Sequence, residues 1–288
     1  MDLSLYGGTG IIGSYFQGLF PSFSIPRDQL TPSSKRVLYL ISTTDNATFK
    51  EDPLIDVNTN LVELMRRLDA CREAGVKEFN FVSSWFVYGQ IHRRPHEFVD
   101  CKPRGFYSIT KYTAEQLVKE YCTEFKIDYR ILRLGNVYGG SDSGTSKRNA
   151  LHFLINRLKK KESVRVMNHV TRDFIHILDT CRAIALVCSL GEVNTIYNIG
   201  TGKATELLKA VEYANKLLGD PADIYRIDPP HVYNQAIRFS LDCGSLNNLG
   251  FEPIFDIYQG LEDLCLHRKF CTPDRILMAK KLKQLSKT

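Results

Sequence analysis

The sequence has few of the features that mark membrane, secreted or metal-binding proteins. No apolar run approaches the roughly 18 residues of a membrane-spanning helix, and the N-terminus shows no basic segment followed by an apolar one, as a signal peptide would. The eight cysteines form no Cys-x-x-Cys pair and no Cys/His metal spacing. We therefore expect a cytoplasmic protein with reduced thiols, no membrane segment and no metal.

A strong charge imbalance is also missing. The net charge of +6 could suit an anionic ligand or a nucleic acid, but no nucleic-acid-binding motif accompanies the lysine runs. Much of the excess lies in residues 159–161 and 280–287, which we interpret as solvated helix faces. We expect no nucleic-acid partner. With 43% hydrophobic and 24% charged residues, the chain has the composition of a globular enzyme.

Short apolar runs alternate with amphipathic segments up to about residue 138. This alternation predicts parallel strands joined by helical crossovers, hence an α/β, Rossmann-type doubly wound sheet. We assign residues 1–138 and about 172–200 to a dinucleotide-binding domain, and residues 139–171 and 201–288 to a smaller, intertwined C-terminal substrate region. The predicted strands are residues 2–6, 23–27, 36–42, 78–83 and 129–134, and the predicted helices are 11–19, 56–74, 107–125, 147–161, 178–189, 204–217 and 258–267.

A glycine-rich loop follows the first strand directly. Gly7, Gly10 and Gly13 are spaced three apart and lead into a predicted helix. Small residues permit a tight turn, close approach of a pyrophosphate and packing of helix on strand. The first helical residues, Ile11 and Ile12, offer backbone N–H groups at the positive end of the helix dipole. The loop predicts dinucleotide binding.

The second strand ends in Arg27 and Asp28, where the ribose of the adenosine is expected. An acid there binds both ribose hydroxyls and favours NAD, whereas an arginine pairs with a 2′-phosphate and favours NADP. Arg27 gives a slight preference for NADP, and both cofactors stay open.

Tyr107 and Lys111 lie four apart at the start of a predicted helix, so both project from one face. A nearby ammonium stabilises the phenolate of a tyrosine, whose ordinary pKa near 10 makes it a poor base. Ser84 ends a predicted strand, where such sheets bind ligands, and can donate a hydrogen bond to a reacting oxygen. We take Ser84, Tyr107 and Lys111 as the candidate catalytic residues.

In this order, these motifs resemble the extended short-chain dehydrogenase/reductase (SDR) enzymes that act on nucleotide-diphosphate sugars. The resemblance covers residues 3–255. Further segments that carry it are the helix headed by Asn60, residues 83–89, 133–139, 172–176, 197–200 and 249–253.

The resemblance implies a hydride transfer between a sugar carbon, most plausibly C4, and NAD or NADP. Asn60 and Lys111 would contact the cofactor, and Asn136 and Arg172 would bind the nucleotide sugar. The usual late substrate arginine is not evident, so Arg238 or His231 is its candidate replacement. Ser84 and Tyr107 would also touch the substrate.

Trp85 and Phe86 occupy the positions of the acid pair that eliminates water in the dehydratases of this family. Neither side chain can carry a proton, so dehydration is excluded. Cys101 is a weak candidate for an additional acid. A 4-epimerase, a 4-ketoreductase and a 4-dehydrogenase stay open. The alternatives are an SDR enzyme acting on a non-sugar alcohol and a non-catalytic dinucleotide-binding protein.

Two further expectations come from the resemblance. The segment between residues 28 and 36 is short for the family, so a strand is missing or trimmed there. Family dimers pair two helices of each subunit, here 56–74 and 107–125, which predicts a homodimer by analogy.

Overall fold

A six-stranded parallel sheet forms the centre of the molecule. The structure, a computed structural model, describes residues 2–44, 52–89, 93–140, 150–229 and 237–266. The strands of this sheet are β1 (Ser4–Tyr6), β2 (Phe23–Ile25), β3 (Arg36–Tyr39), β4 (Glu78–Ser84), β5 (Asp128–Leu134) and β9 (Thr195–Ile199). They lie in the order β2-β1-β3-β4-β5-β9.

Helices cover both faces of this sheet, which explains why its strands read as nearly continuous apolar runs. The α-helices of all the described residues, on this sheet and elsewhere, are α1 (Ile11–Leu19), α2 (Ile55–Val57), α3 (Glu63–Glu73), α4 (Phe106–Glu124), α5 (Ala150–Lys159), α6 (Ile177–Leu190), α7 (Leu207–Leu217), α8 (Gly244–Asn248) and α9 (Ile257–Leu266). One buried cluster joins α1 and α6 to the sheet. Another joins α3 and α4 to its opposite face. The predicted Rossmann-type doubly wound fold is confirmed.

The connection between β2 and β3 contains neither a helix nor a strand, and all of its residues are described. Both strands pair with β1, so the chain crosses over β1 to reach its other side. In the described sheet β2 lies at one edge and β9 at the other. Among the described residues no strand lies outside β2, in line with the shortening expected from the sequence between residues 28 and 36.

Two small sheets complete the C-terminal part. Strand β8 (Thr171–His176) lies between β6 (Asn136–Tyr138) and β10 (Ala204–Glu206). Strand β7 (Val164–Met167) pairs in parallel with β11 (Ile224–Ile227). A separate apolar cluster packs α5, α7 and α9 against β7 and β8. The division of the chain into two regions stays a prediction, but β6 and β10 show that they share a sheet.

Two predicted helices differ from the structure. Residues 204–206 form β10, because they pair antiparallel with β8, and α7 begins only at Leu207. The helix predicted at 56–74 is interrupted by a π-helical turn, Asn58–Val62. Residues 147–149 and 267 of two other predicted helices lie outside the described residues.

The described cysteines are buried or half-buried free thiols. Cys71 and Cys122 lie on one face of the sheet, and Cys181 and Cys188 on the other. Burial raises the pKa of each of these four thiols to about 12. Within the described ranges, no helix is long and apolar enough to cross a membrane, and no three His, Cys, Asp or Glu side chains are grouped to hold a metal ion.

Candidate active site

A cavity of about 540 Å³ opens at the carboxyl ends of the central strands. The glycine loop forms one wall. Gly7 has a φ of +86°, which an L side chain rarely adopts. A Cβ at Gly13 would lie 2.2 Å from the carbonyl oxygen of Gly7, so only glycine lets α1 approach β1 this closely.

The N-terminus of α1 faces this cavity. Gly10 is its N-cap and provides no side chain to accept from the first-turn N–H groups. Gly10, Ile11, Ile12 and Gly13 all line the cavity. Unpaired N–H groups at the positive end of the helix dipole suit a diphosphate. The loop therefore fits the pyrophosphate of a dinucleotide.

Arg27 and Asp28 lie just beyond the edge strand β2 and are exposed. Neither lines the cavity, and the carbonyl of Arg27 accepts a hydrogen bond from Arg67 at 3.0 Å. Their roles toward an adenosine ribose stay predictions.

Asn60 lies behind the cavity wall. It is 2% exposed and sits in the π-helical turn. Its Oδ1 accepts hydrogen bonds from Ser42 Oγ and from the N–H of Thr43, each at 3.0 Å. Its Nδ2 donates to the Thr43 and Thr110 hydroxyls. Because Ser42 and Thr43 line the cavity, Asn60 holds the wall in place; a direct contact with cofactor stays a prediction.

The structure brings Ser84, Tyr107 and Lys111 to the same cavity. All three are buried. Ser84 caps the short 3₁₀ helix Trp85–Tyr88, accepting from the N–H of Phe86 at 3.3 Å. Tyr107 and Lys111 begin α4, one turn apart. Thus the end of β4 and the start of α4 present the three side chains together.

The ammonium of Lys111 lies deep in the fold. Its Nζ donates to the carbonyl of Val82 at 2.7 Å and lies 4.2 Å from the centroid of the Phe81 ring. Burial lowers the pKa of Lys111 to about 7, while the charge of Glu115 acts in the opposite direction. Because burial penalises the ammonium, its protonation is sensitive to charge entering the cavity.

Sequence reasoning missed the buried carboxylate of Glu115. It follows Tyr107 and Lys111 on the same face of α4, one further turn along. It accepts from the Ser83 hydroxyl and forms an ion pair with Arg133 at 2.7 Å, with both side chains 2% exposed or less. The four-residue spacing was the signal that could have revealed it. Glu115 ties α4 to the ends of β4 and β5.

Arg172 also lines the cavity. It is 5% exposed, and its guanidinium lies 5.2 Å from the ring centroid of Trp85. Its Nη1 donates to the carbonyls of Thr171 and Ile237. Asn136 also lines the cavity and donates to the carbonyl of Asp173 at 3.3 Å. Both predicted substrate residues therefore line the same cavity as the predicted catalytic ones.

Arg238 lies apart from this cavity. It is exposed and lines a neighbouring cavity of about 390 Å³ together with Arg93, Arg94 and His169. Its proposed replacement of a substrate arginine stays a prediction, and His231 lies outside the described residues. Cys101 does not line the main cavity, and burial raises the pKa of its thiol to about 11.

The parallel sheet, the glycine loop and the Ser84–Tyr107–Lys111 group define a dinucleotide-binding fold of the extended SDR type. The sequence profile of the "NAD dependent epimerase/dehydratase family" matches residues 34–200, more than half of the chain. The chain belongs to the NAD-dependent epimerase/dehydratase family.

Individual relatives agree with this assignment. A "Putative UDP-glucose 4-epimerase" of Methanocaldococcus jannaschii is 29% identical over 217 residues, which are 74% of this chain and 70% of the relative. The "Uncharacterized UDP-glucose epimerase YtcB" of Bacillus subtilis is 30% identical over 223 residues, 70% of this chain and 68% of the relative.

Solved structures share the fold. The UDP-glucose 4-epimerase of Thermotoga maritima, crystallised with UDP-glucose, superposes with a TM-score of 0.80. It is 22% identical in sequence, and the match covers 93% of this chain and 98% of that structure. This similarity shows the same architecture in both proteins.

Proposed function

We propose that this chain is a nucleotide-diphosphate-sugar 4-epimerase that uses a nicotinamide dinucleotide. One observation carries the proposal. A single cavity is lined by the glycine loop, by Ser84, Tyr107 and Lys111, and by Arg172. A dinucleotide, a sugar hydroxyl and a second diphosphate thus each find suitable groups in one space. The names of both curated relatives support the same activity.

The catalytic side chains handle a proton at the sugar hydroxyl. The glycine loop and Lys111 would hold the dinucleotide, which would supply the hydride chemistry at the sugar carbon, with return of the hydride possible to either face of that carbon. Tyr107 takes the hydroxyl proton as the carbonyl forms and gives it back afterwards, as a general base and acid. Ser84 donates a hydrogen bond to the same oxygen. Lys111, when charged, stabilises the phenolate form of Tyr107.

The substrate side of the cavity favours an anion. Among its described lining residues, Lys111 and Arg172 are cationic, and none is a carboxylate. A guanidinium matches phosphate oxygens with charge-assisted, bidentate hydrogen bonds. Trp85 and Phe86 line the same cavity and offer no proton donor, so we do not include dehydration in the proposed activity.

The decisive test is a Tyr107→Phe variant assayed by NMR for interconversion of UDP-sugar C4 epimers. Loss of a general acid-base group is expected to lower kcat about 10²- to 10⁴-fold. Tyr112→Phe, on the same helix but outside the cavity lining, is the matched control and is expected to stay within about twofold. Equal activity of the Tyr107 variant and wild type would refute the mechanism.

An SDR enzyme for a non-sugar alcohol is the competing activity, and Arg172 separates the two. In the proposed function, Arg172→Met lowers the affinity for UDP, measured by calorimetry, about tenfold or more, since hydrogen bonds to charged groups contribute about 1.5–3 kcal/mol. Arg165→Met removes an exposed arginine of β7 as the control. Unchanged UDP affinity in the Arg172 variant would exclude a nucleotide-sugar substrate.

A 4-ketoreductase differs from an epimerase in the fate of the dinucleotide. An epimerase retains it, because the hydride returns to the sugar, whereas a reductase releases it after each turnover. The test is to denature the purified protein and identify any dinucleotide released by chromatography. A stoichiometric dinucleotide, NAD or NADP, supports the epimerase; an empty protein that binds NADPH supports the reductase. Of the two cofactors, the side chain of Arg27 gives NADP a slight advantage in our proposal.

We also propose a cytoplasmic homodimer. Its interface would consist of the segment 55–73 and α4. These carry exposed apolar side chains: Val62 is 41%, Phe106 45% and Ile109 50% exposed. Burial of such side chains is the main stabilisation of obligate interfaces. The free thiols of the described cysteines support the proposed compartment.

A further inference from the structure

Two aromatic residues follow the catalytic serine and form a wall of the main cavity. Phe86 packs edge-on against the Tyr107 ring, with 5.6 Å between centroids and planes at 83°. Trp85 lies beside it at 4.6 Å and is held from behind by Phe239 at 4.3 Å. This wall is therefore supported by the core and is well placed to restrict what lies next to the catalytic tyrosine.

The position of Phe86 is fixed relative to both catalytic hydroxyls. Its backbone N–H donates to Ser84 Oγ, and its ring contacts the Tyr107 ring. A reacting sugar oxygen must come within hydrogen-bond distance of Ser84 and Tyr107. A substituent on a ring carbon next to the reacting one can then reach the phenyl ring of Phe86, which lines the same cavity.

A phenyl ring treats the possible substituents very differently. A hydroxyl placed against it loses water without gaining a hydrogen bond, which is costly, whereas a methyl group gains apolar contact. Of the two carbons that flank C4, C3 carries a hydroxyl in common hexoses. C5 carries the exocyclic C6, which is a hydroxymethyl, a carboxylate or a methyl group. Of the substituents on C3 and C5, only the C6 group on C5 can be apolar, when it is a methyl group.

A carboxylate at C6 is disfavoured as well. The two cations of the described cavity lining have other partners in the proposed function: Lys111 stabilises the phenolate of Tyr107, and Arg172 pairs with the substrate diphosphate. The ring of Phe86 itself packs between aromatic rings, those of Trp85 and Tyr107. A carboxylate against this aromatic surface would lose its hydration, which is more costly than for a hydroxyl.

From this geometry we infer that Phe86 selects nucleotide sugars with a methyl group at C6, that is, 6-deoxyhexoses, over hexoses and uronic acids. The inference rests on the proposed function, because it places the reacting C4 beside Tyr107 and Ser84. It adds the substrate class and the residue that determines it.

The test compares two substrates that differ by a single oxygen: UDP-6-deoxyglucose and UDP-glucose, with the thymidine-diphosphate pair run in parallel. Wild-type protein is expected to show at least a tenfold higher kcat/KM for the 6-deoxy sugar. Phe86→Ser leaves room for the C6 hydroxyl and can form a hydrogen bond with it. In this variant the kcat/KM values for the two sugars are expected to lie within about threefold of each other. Phe86→Leu keeps an apolar wall and should retain the preference.

A preference for the hexose in the wild type, or a ratio that Phe86→Ser leaves unchanged, would overturn the inference. Thermal melting shows whether each variant is folded. If no pair is turned over, the proposed epimerase fails. In that case the affinity for the same sugar pairs is measured by calorimetry. The two proteins compared are the Tyr107→Phe variant and the double variant that also carries Phe86→Ser. Tighter binding of the 6-deoxy sugar by Tyr107→Phe that is lost in the double variant supports the inference. Equal binding of both sugars by Tyr107→Phe refutes the inference.

Discussion

The spacing of the proposed catalytic residues is visible in the sequence, whereas their burial is not. Tyr107 and Lys111 are one helical turn apart, a relation that the residue numbers alone provide. That Lys111 would be enclosed above the Phe81 ring depends on β4, which lies far away along the chain. The cost of burying its charge is therefore a property of the fold.

Replacing Lys111 with Met is expected to stabilise the free protein in a pH-dependent way. Burial lowers the pKa of Lys111 to about 7, whereas an unfolded lysine has about 10.4. Between these values the unfolded chain binds more protons, so wild-type stability rises with pH. The advantage of Lys111→Met is thus largest at pH 7 and below and shrinks above it. Urea unfolding from about pH 6 to pH 9 measures it, and an advantage that grows with pH would contradict the assignment.

The buried pair of Glu115 and Arg133 is expected to behave differently from surface pairs. Glu115→Leu leaves an uncompensated guanidinium in the core and should cost about 3–5 kcal/mol in the free energy of unfolding. Adding Arg133→Met should recover most of this loss. The exposed pair of Arg157 and Glu162 is the control, with Glu162→Gln costing less than about 1 kcal/mol. Chemical denaturation of these variants and the wild type measures the losses; a similar loss for both single carboxylate variants would refute the assigned role.

At the scale of elements, the loop between β1 and α1 depends on close contact between backbones. Gly13→Ala is expected to lower dinucleotide affinity at least tenfold, because its Cβ would lie 2.8 Å from the Cα of Gly8 as well as against Gly7. Gly18 lies in the same helix, and a Cβ there would meet nothing within 4 Å. Gly18→Ala should therefore add about 0.5–1 kcal/mol of stability and leave affinity unchanged.

Fluorescence titration with NADH and NADPH, together with thermal melting, checks this pair. If both alanine variants bind equally well, the glycine loop does not hold the diphosphate.

Elements with strong local patterns could be predicted from the sequence, and those defined by distant partners could not. The strand–helix alternation up to β5 was sufficient for the doubly wound sheet. By contrast, residues 204–206 have a helical pattern but pair with β8, since a tertiary partner outweighs a weak local preference. The π-helical turn at 58–62 also involves partners outside its own segment, since Asn60 accepts hydrogen bonds from Ser42 and Thr43.

The same limit applies to the site. Ser84, Tyr107 and the glycine loop could be named because each belongs to a short motif. The support of Arg172 by Trp85, which lies far from it along the chain, has no local pattern. The position of Arg238 in a neighbouring cavity has no local pattern either, because it depends on how the C-terminal segments fold back.

For the whole molecule, the proposed homodimer predicts a response to charge on α4. Ile109→Glu places a carboxylate in the expected interface and should convert the dimer to monomer in sedimentation equilibrium, because an unpaired buried charge costs several kcal/mol. Phe153→Glu alters a similarly exposed side chain, 52% exposed on α5, and should leave the dimer intact. A monomeric wild type, or an Ile109 variant of unchanged mass, would rule out this interface.

Four of the buried thiols, those of Cys71, Cys122, Cys181 and Cys188, lie in helices that cover the central sheet and can report when these helices open. Alkylating reagents attack the thiolate, and both the enclosure of these groups and their raised pKa suppress it while the helices stay in place. Modification therefore waits for local opening. Because Cys71 and Cys122 belong to α3 and α4, and Cys181 and Cys188 to α6, the order in which the two pairs are labelled tells which helical layer lifts from the sheet first.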